Sequence, residues 1–155
     1  MRTKICIREL LAFLFFALTL VGQGTAAQLK VVVLDSKTGK PLQRKNVCVS
    51  FTTTPRYSTN ITPVCNHTGA DGSTALDIPQ PPPAWAYVAL RTNDLLPCFA
   101  TGHPFSMDEL AATGVTAPNT CGLAAAIPPT RAGEVVVFAH QMTFSEVFRA
   151  IWKEL

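Results

Sequence analysis

The chain predicts a mainly β protein, a β-sandwich with one short inserted helix and a C-terminal amphipathic helix. Three observations lead there. Short runs rich in Val, Ile, Leu, Thr and aromatics alternate apolar and polar positions, as half-buried strands do. Clusters of Gly, Pro and Asp bound those runs and read as turns. Helical periodicity is confined to Ser106–Thr113 and Thr143–Leu155.

Residues 1–27 read as an address. Arg2, Lys4 and Arg8 make a basic start, Leu11 to Val21 is apolar except for Thr19, and Thr25-Ala26-Ala27 is small. That is the layout of a secretory signal peptide. The apolar stretch of 11 residues falls short of the roughly 20 that span a bilayer. Without the leader the charge changes: 13 Lys+Arg and 10 Asp+Glu lose three bases and one acid, leaving 10 against 9. No basic face for nucleic acid survives. Arg44-Lys45, with Lys37 and Lys40, reads as a solvated turn. Residues 28–142 are long enough for one core.

Leu29 to Asp35 and Asn46 to Phe51 are the first two strands, joined by the polar turn Lys37-Thr-Gly-Lys-Pro-Leu42. Ile61 to Asn66 is a short third strand, and His67 to Gly72 a turn with an Asp-Gly step. Ser73 to Ile78 alternates as a strand. Pro79-Gln-Pro-Pro-Pro83 is an extended loop, because proline donates no ladder hydrogen bond. Ala84 to Arg91 resumes strand, with Trp85 and Tyr87 on one face and Val88 and Leu90 on the other. Ser106-Met-Asp-Glu109 is a capping box that opens a helix of about two turns, closed by Gly114. Gly122 to Thr130 is a connection, and Glu134 to Ala139 a central strand.

Residues 143–155 form the last unit. Thr143-Phe-Ser-Glu146 is a second capping box. Phe144, Val147, Phe148, Ile151, Trp152 and Leu155 then fall on one helical stripe. The stripe either docks on the parent sheet or meets a partner. Two acids and two bases opposite make attraction to anionic lipid weak, so a membrane-surface contact would rest on the aromatics.

Cys48, Cys65, Cys98 and Cys121 remain after the leader. An even number in an exported chain reads as disulfides, and four cysteines allow three connectivities. Nearest-neighbour pairing, 48–65 and 98–121, is the expectation. Folded about Arg56-Tyr57, Cys48 and Cys65 lie opposite each other on adjacent strands. A Cys/His metal site with His67 or His103 is the rival, but no CxxC or HxxxH spacing supports it, and no cofactor is expected.

Val31–Asp35, Thr38-Gly-Lys-Pro-Leu42, Val47–Phe51, Gly69-Ala-Asp-Gly72 and Leu76–Ile78 resemble the carboxypeptidase regulatory-like family. Glu109-Leu110, Gly114-Val115, Pro118-Asn-Thr-Cys121 and Gly133-Glu-Val-Val-Val-Phe138 are similar to stand-alone secreted bacterial members. The resemblance implies a transthyretin-like sandwich of about seven strands with an accessory role and no catalysis. Enzyme signatures agree with that reading. None of His67, His103 and His140 has a Glu three residues on, no Gly-x-Ser-x-Gly elbow exists, and the tail lacks Tyr-Arg-Gly-Ser. The last strand also has no Asn for an isopeptide bond.

The expected function is a non-catalytic module, periplasmic or extracellular, that recognises a protein or glycan of the cell envelope. Candidate binding residues are Phe144, Phe148, Ile151 and Trp152 of the last helix, with Tyr57, Trp85 and Tyr87. Core packing is the competing role for Trp85 and Tyr87. The alternative is a hydrolase using His103 or His140 with a nearby acid. Asn60-Ile-Thr62 and Asn66-His-Thr68 match the glycosylation sequon.

Overall fold

Val135 to Ala139 is apolar without a break, and a strand of that composition is stable only when both of its faces are covered. The computed structural model describes residues 27–56, 61–92, 94–122, 128–143 and 145–146 and places this segment at the centre of a sheet. The described strands are β1 (Gln28–Asp35), β2 (Asn46–Thr52), β3 (Val64–His67), β4 (Ser73–Asp77), β5 (Trp85–Leu90), β6 (Leu95–Pro97), β7 (Phe105–Ser106), β8 (Val115–Thr116) and β9 (Glu134–Gln141). One helix, α1 (Met107–Ala112), lies between β7 and β8.

The first sheet runs β4-β1-β9-β6, with β8 also on β9; the second runs β3-β2-β5-β7. β1 and β9 are parallel, with Lys30 opposite Glu134 and Asp35 opposite Ala139. Period-two alternation then sends Leu29, Val31, Val33, Val135 and Val137 into the space between the sheets. Val47, Val49, Ala86, Val88 and Phe105 meet them from the second sheet, and Leu110 of α1 packs with them. Each Val, Leu or Phe among them contributes roughly 1.5–3 kcal/mol when fully buried. β1 and β2 are consecutive but lie in different sheets, so the turn between them crosses the sandwich.

The two-sheet β-sandwich matches the expected class. Five of the expected strands fall within two residues of their predicted bounds, and the third begins at Val64 rather than Ile61. β6, β7 and β8 were not expected. They are two or three residues long, too short to show alternation, and exist because β9 and β5 offer them ladder partners. Pro97 fits in β6 because that strand is an edge.

The capping box at Ser106 is a correction. Ser106 N-caps α1, but its side chain makes no cap hydrogen bond. Pairing of β7 with β5 sets its backbone instead, and Met107 N donates to Ala84 O at 3.0 Å. Gly114 ends the helix at φ +73°, where an added Cβ would lie 2.2 Å from Arg131 O. No L side chain fits that approach. Lys45 is a second correction. It is not part of a solvated turn: its side chain is mostly buried and its Nζ is paired with Asp94.

Both expected disulfides are present, Cys48–Cys65 and Cys98–Cys121. Cys48 and Cys65 are directly opposite in the β2–β3 ladder, as the hairpin reading required. Among the described residues no helix is long and apolar enough to cross a membrane. Residues 1–26, expected to be a leader, and most of residues 143–155, expected to be a helix and including Phe144, Phe148, Ile151 and Trp152, lie outside the described residues, as does Tyr57.

A candidate binding cleft on the second sheet

The β2–β5 ladder pairs Thr52 with Trp85, Ser50 with Tyr87 and Cys48 with Ala89. Because Val49 and Val88 face the core, these six residues face the other way. That outer face therefore carries two aromatics, three hydroxyl side chains counting Tyr87, a disulfide sulfur and an alanine. Arg91 follows β5, with its N–H on Asn46 O at 2.9 Å. At about 3.4 Å per residue, Tyr87 and Arg91 are roughly 14 Å apart along the chain. Ala89 and the disulfide lie between them and leave the floor low.

The result is a cleft of about 330 Å³, lined by Cys48, Ser50, Pro63, Tyr87, Val88, Ala89, Arg91, Thr101 and Gly102. That volume lies in the range of small-ligand sites, about 300–1,000 Å³. Tyr87 is only 3% exposed, so most of its ring is packed and the rest faces the cleft. Trp85 is half-buried on the same face but does not line the cleft, so the structure separates these two candidates. Arg91, Ala89, Ser50 and Thr101 were not singled out from the sequence. The one signal for them was an arginine just beyond a strand whose outward residues shrink from Trp85 and Tyr87 to Ala89.

The electrostatics set this cleft apart from a second one on the outer face of the first sheet. The second, about 250 Å³, is lined by Lys30, Val32, Asp71, Ser73, Pro128, Glu134 and neighbours. Its charges satisfy one another. Lys30 Nζ is 3.3 Å from Glu134 Oε1, and Arg131 N donates to Glu134 Oε2 at 3.2 Å. Asp71 accepts from Ser73 Oγ and Ser73 N, which lowers its pKa. Arg91, by contrast, has no carboxylate partner among the described residues.

The histidines are dispersed. His67 is exposed on β3. His103 is exposed and sits edge-on to Phe105, with ring centroids 5.7 Å apart. His140, at the end of β9, has Nε2 3.4 Å from both carboxylate oxygens of Glu146. Thr143 N donates to Glu146 Oε2 at 2.7 Å, so half of the expected second capping box is formed. The hydrogen bonds from Thr143, then the contact with His140, depress Glu146 to about 2. Ser36, which follows β1 beside the end of β9, is fully buried, and neither its Oγ nor His140 Nδ1 has a hydrogen-bond partner among the described residues. Both disulfides occupy thiols that a metal would need as thiolates.

No family model, curated protein or solved structure matches this chain.

Proposed function

We propose that this protein is an exported, non-catalytic binding module of the carboxypeptidase regulatory-like, transthyretin-like type, acting in the periplasm or outside the cell. The two-sheet sandwich and the sequence motifs of β1, β2 and β4 support the family reading. The two disulfides fit an oxidising compartment. The observation that carries the binding role is the cleft over β2 and β5, whose lining brings together hydroxyls and a guanidinium with no carboxylate partner among the described residues. Glycan and peptide arrays probed with the purified protein and with Ala89→Trp test it. Ala89 is exposed, so the indole fills the cleft without entering the core. A signal lost in the variant is expected; identical signals for the two proteins would rule out the cleft as the site.

The stripe of Phe144, Phe148, Ile151 and Trp152 remains a proposed second contact, with an envelope partner or, weakly, a membrane surface. Phe148→Asp with Trp152→Asp should abolish envelope association and leave the sandwich folded. Unchanged association ends that part of the reading.

One observation favours the hydrolase alternative. Among the described residues, Glu146 lies beside His140 and no acid lies beside His103. Turnover in a hydrolase panel that disappears in His140→Ala would establish it over the binding role.

A further inference from the structure

We infer that the cleft over β2 and β5 takes an acidic saccharide, with a uronate carboxylate on Arg91. The inference rests on the proposed binding role and names its ligand class. A guanidinium offers a planar fork of N–H donors that fits a carboxylate at two points. In the cleft of the first sheet the cation, Lys30, is already held by Glu134. In this one the exposed Arg91 lines the space with no carboxylate partner among the described residues, so its guanidinium is open to a carboxylate on the ligand. The rest of the lining suits a sugar ring. Ser50 and Thr101 bring hydroxyls, and the exposed Ala89 adds an apolar surface.

The floor is made by β2 and β5, flanked by β3 and β7. β7 pairs only with Trp85 and Ala86 of β5, so its ladder stops short of the cleft. A peptide with a free C-terminal carboxylate is therefore the ligand that competes with a uronate for Arg91.

Titration calorimetry on the purified protein tests the inference, using galacturonate, glucuronate and mannuronate trimers, their carboxyl-reduced counterparts and a peptide with a free C-terminal carboxylate. At least one uronate trimer is expected to bind. Its affinity should fall at least tenfold in Arg91→Gln and be lost in Ala89→Trp, with thermal melts superimposable on the parent. The matching carboxyl-reduced trimer should bind the parent at least tenfold more weakly and be indifferent to Arg91→Gln. The inference is overturned if no uronate binds, if Arg91→Gln leaves uronate affinity unchanged, or if the peptide binds more tightly than every uronate through Arg91. Equal binding of acidic and reduced trimers, both lost in Ala89→Trp, would also overturn it while leaving the cleft as a binding site.

Discussion

The two outer faces of this sandwich solve the same problem in opposite ways. On the first sheet, Leu34, Val136 and Phe138 with Cys98 form a second small apolar cluster, joined by Val32. The segment that follows β8 lies against it, with Asn119 Nδ2 on Ser36 O at 2.9 Å and Cys121 tied to Cys98. On the second sheet the corresponding positions are Cys48, Ser50, Thr52, Tyr87 and Ala89. Both faces are largely buried and both carry a cleft, yet one is aliphatic with its charges paired, and the other is hydroxylated, with a cation that has no carboxylate partner among the described residues. Burial alone therefore does not separate a structural face from a proposed binding face. What separates them is whether the cation lining the cleft has a carboxylate partner among the described residues.

The largest effect that would test this contrast is at Phe138, which is 0% exposed. Phe138→Ala should cost about 3–5 kcal/mol of stability, since truncation leaves a cavity the sheet cannot close. Ser50→Ala on the other face should cost under about 1 kcal/mol. Denaturant unfolding of both variants compares them directly, and equal losses would erase the distinction between the faces.

Next come the disulfides. Cys98 and Cys121 are 23 residues apart and Cys48 and Cys65 are 17 apart. Replacing either pair by alanine should lower stability by about 3 kcal/mol through the freed unfolded chain. The sharper readout is ligand affinity. Removing the 48–65 bridge should weaken binding at the cleft, and removing 98–121 should leave binding intact at temperatures well below the melt.

A smaller effect is expected at the end of β9, where Glu146 is held at about 2 by Thr143 and His140. Its folded value lies below its ordinary 4.5, so it stabilises the native state above that value. The contribution is lost as pH falls from about 4.5 toward 2. The melting temperature of Glu146→Gln should therefore sit below that of the parent at pH 6, with the gap closing by pH 2. A gap that is constant with pH would mean the carboxylate's charge has no part in the contact.

The smallest expected change is in stability at the cleft itself. Ala89→Trp should shift the unfolding free energy by no more than about 0.5 kcal/mol, as exposed substitutions usually do. A large loss would show that the floor of the cleft is packed rather than open.

Much of the fold could be read locally. β1, β2, β4, β5 and β9 are long enough to show which face is apolar, and the disulfide pairing followed from the loop between Cys48 and Cys65. The cleft could not be read that way. Tyr87 was visible as an outward aromatic, but nothing in the residues distinguished it from Trp85. Their difference depends on Thr101 and Gly102, which come from a distant loop to wall one position and not the other. Lys45 shows the same limit. Its turn looked solvated until Asp94, 49 residues away, was brought to it.

By itself the sequence determined the β class, the strand periods and the short helix between β7 and β8, and it favoured the cysteine pairing that the structure shows. Alternation and turn chemistry act over a few residues, and such short-range rules are written in the chain. Tertiary structure alone decided that β1 and β2 part into different sheets, that β6, β7 and β8 exist, that Ser106 is fixed by a ladder rather than a cap, and that Arg91 has no carboxylate partner among the described residues where Lys30 and Lys45 do. Each of those depends on which distant groups arrive within a few ångströms, and hydrogen bonds and ion pairs are too short-ranged for sequence spacing to specify them.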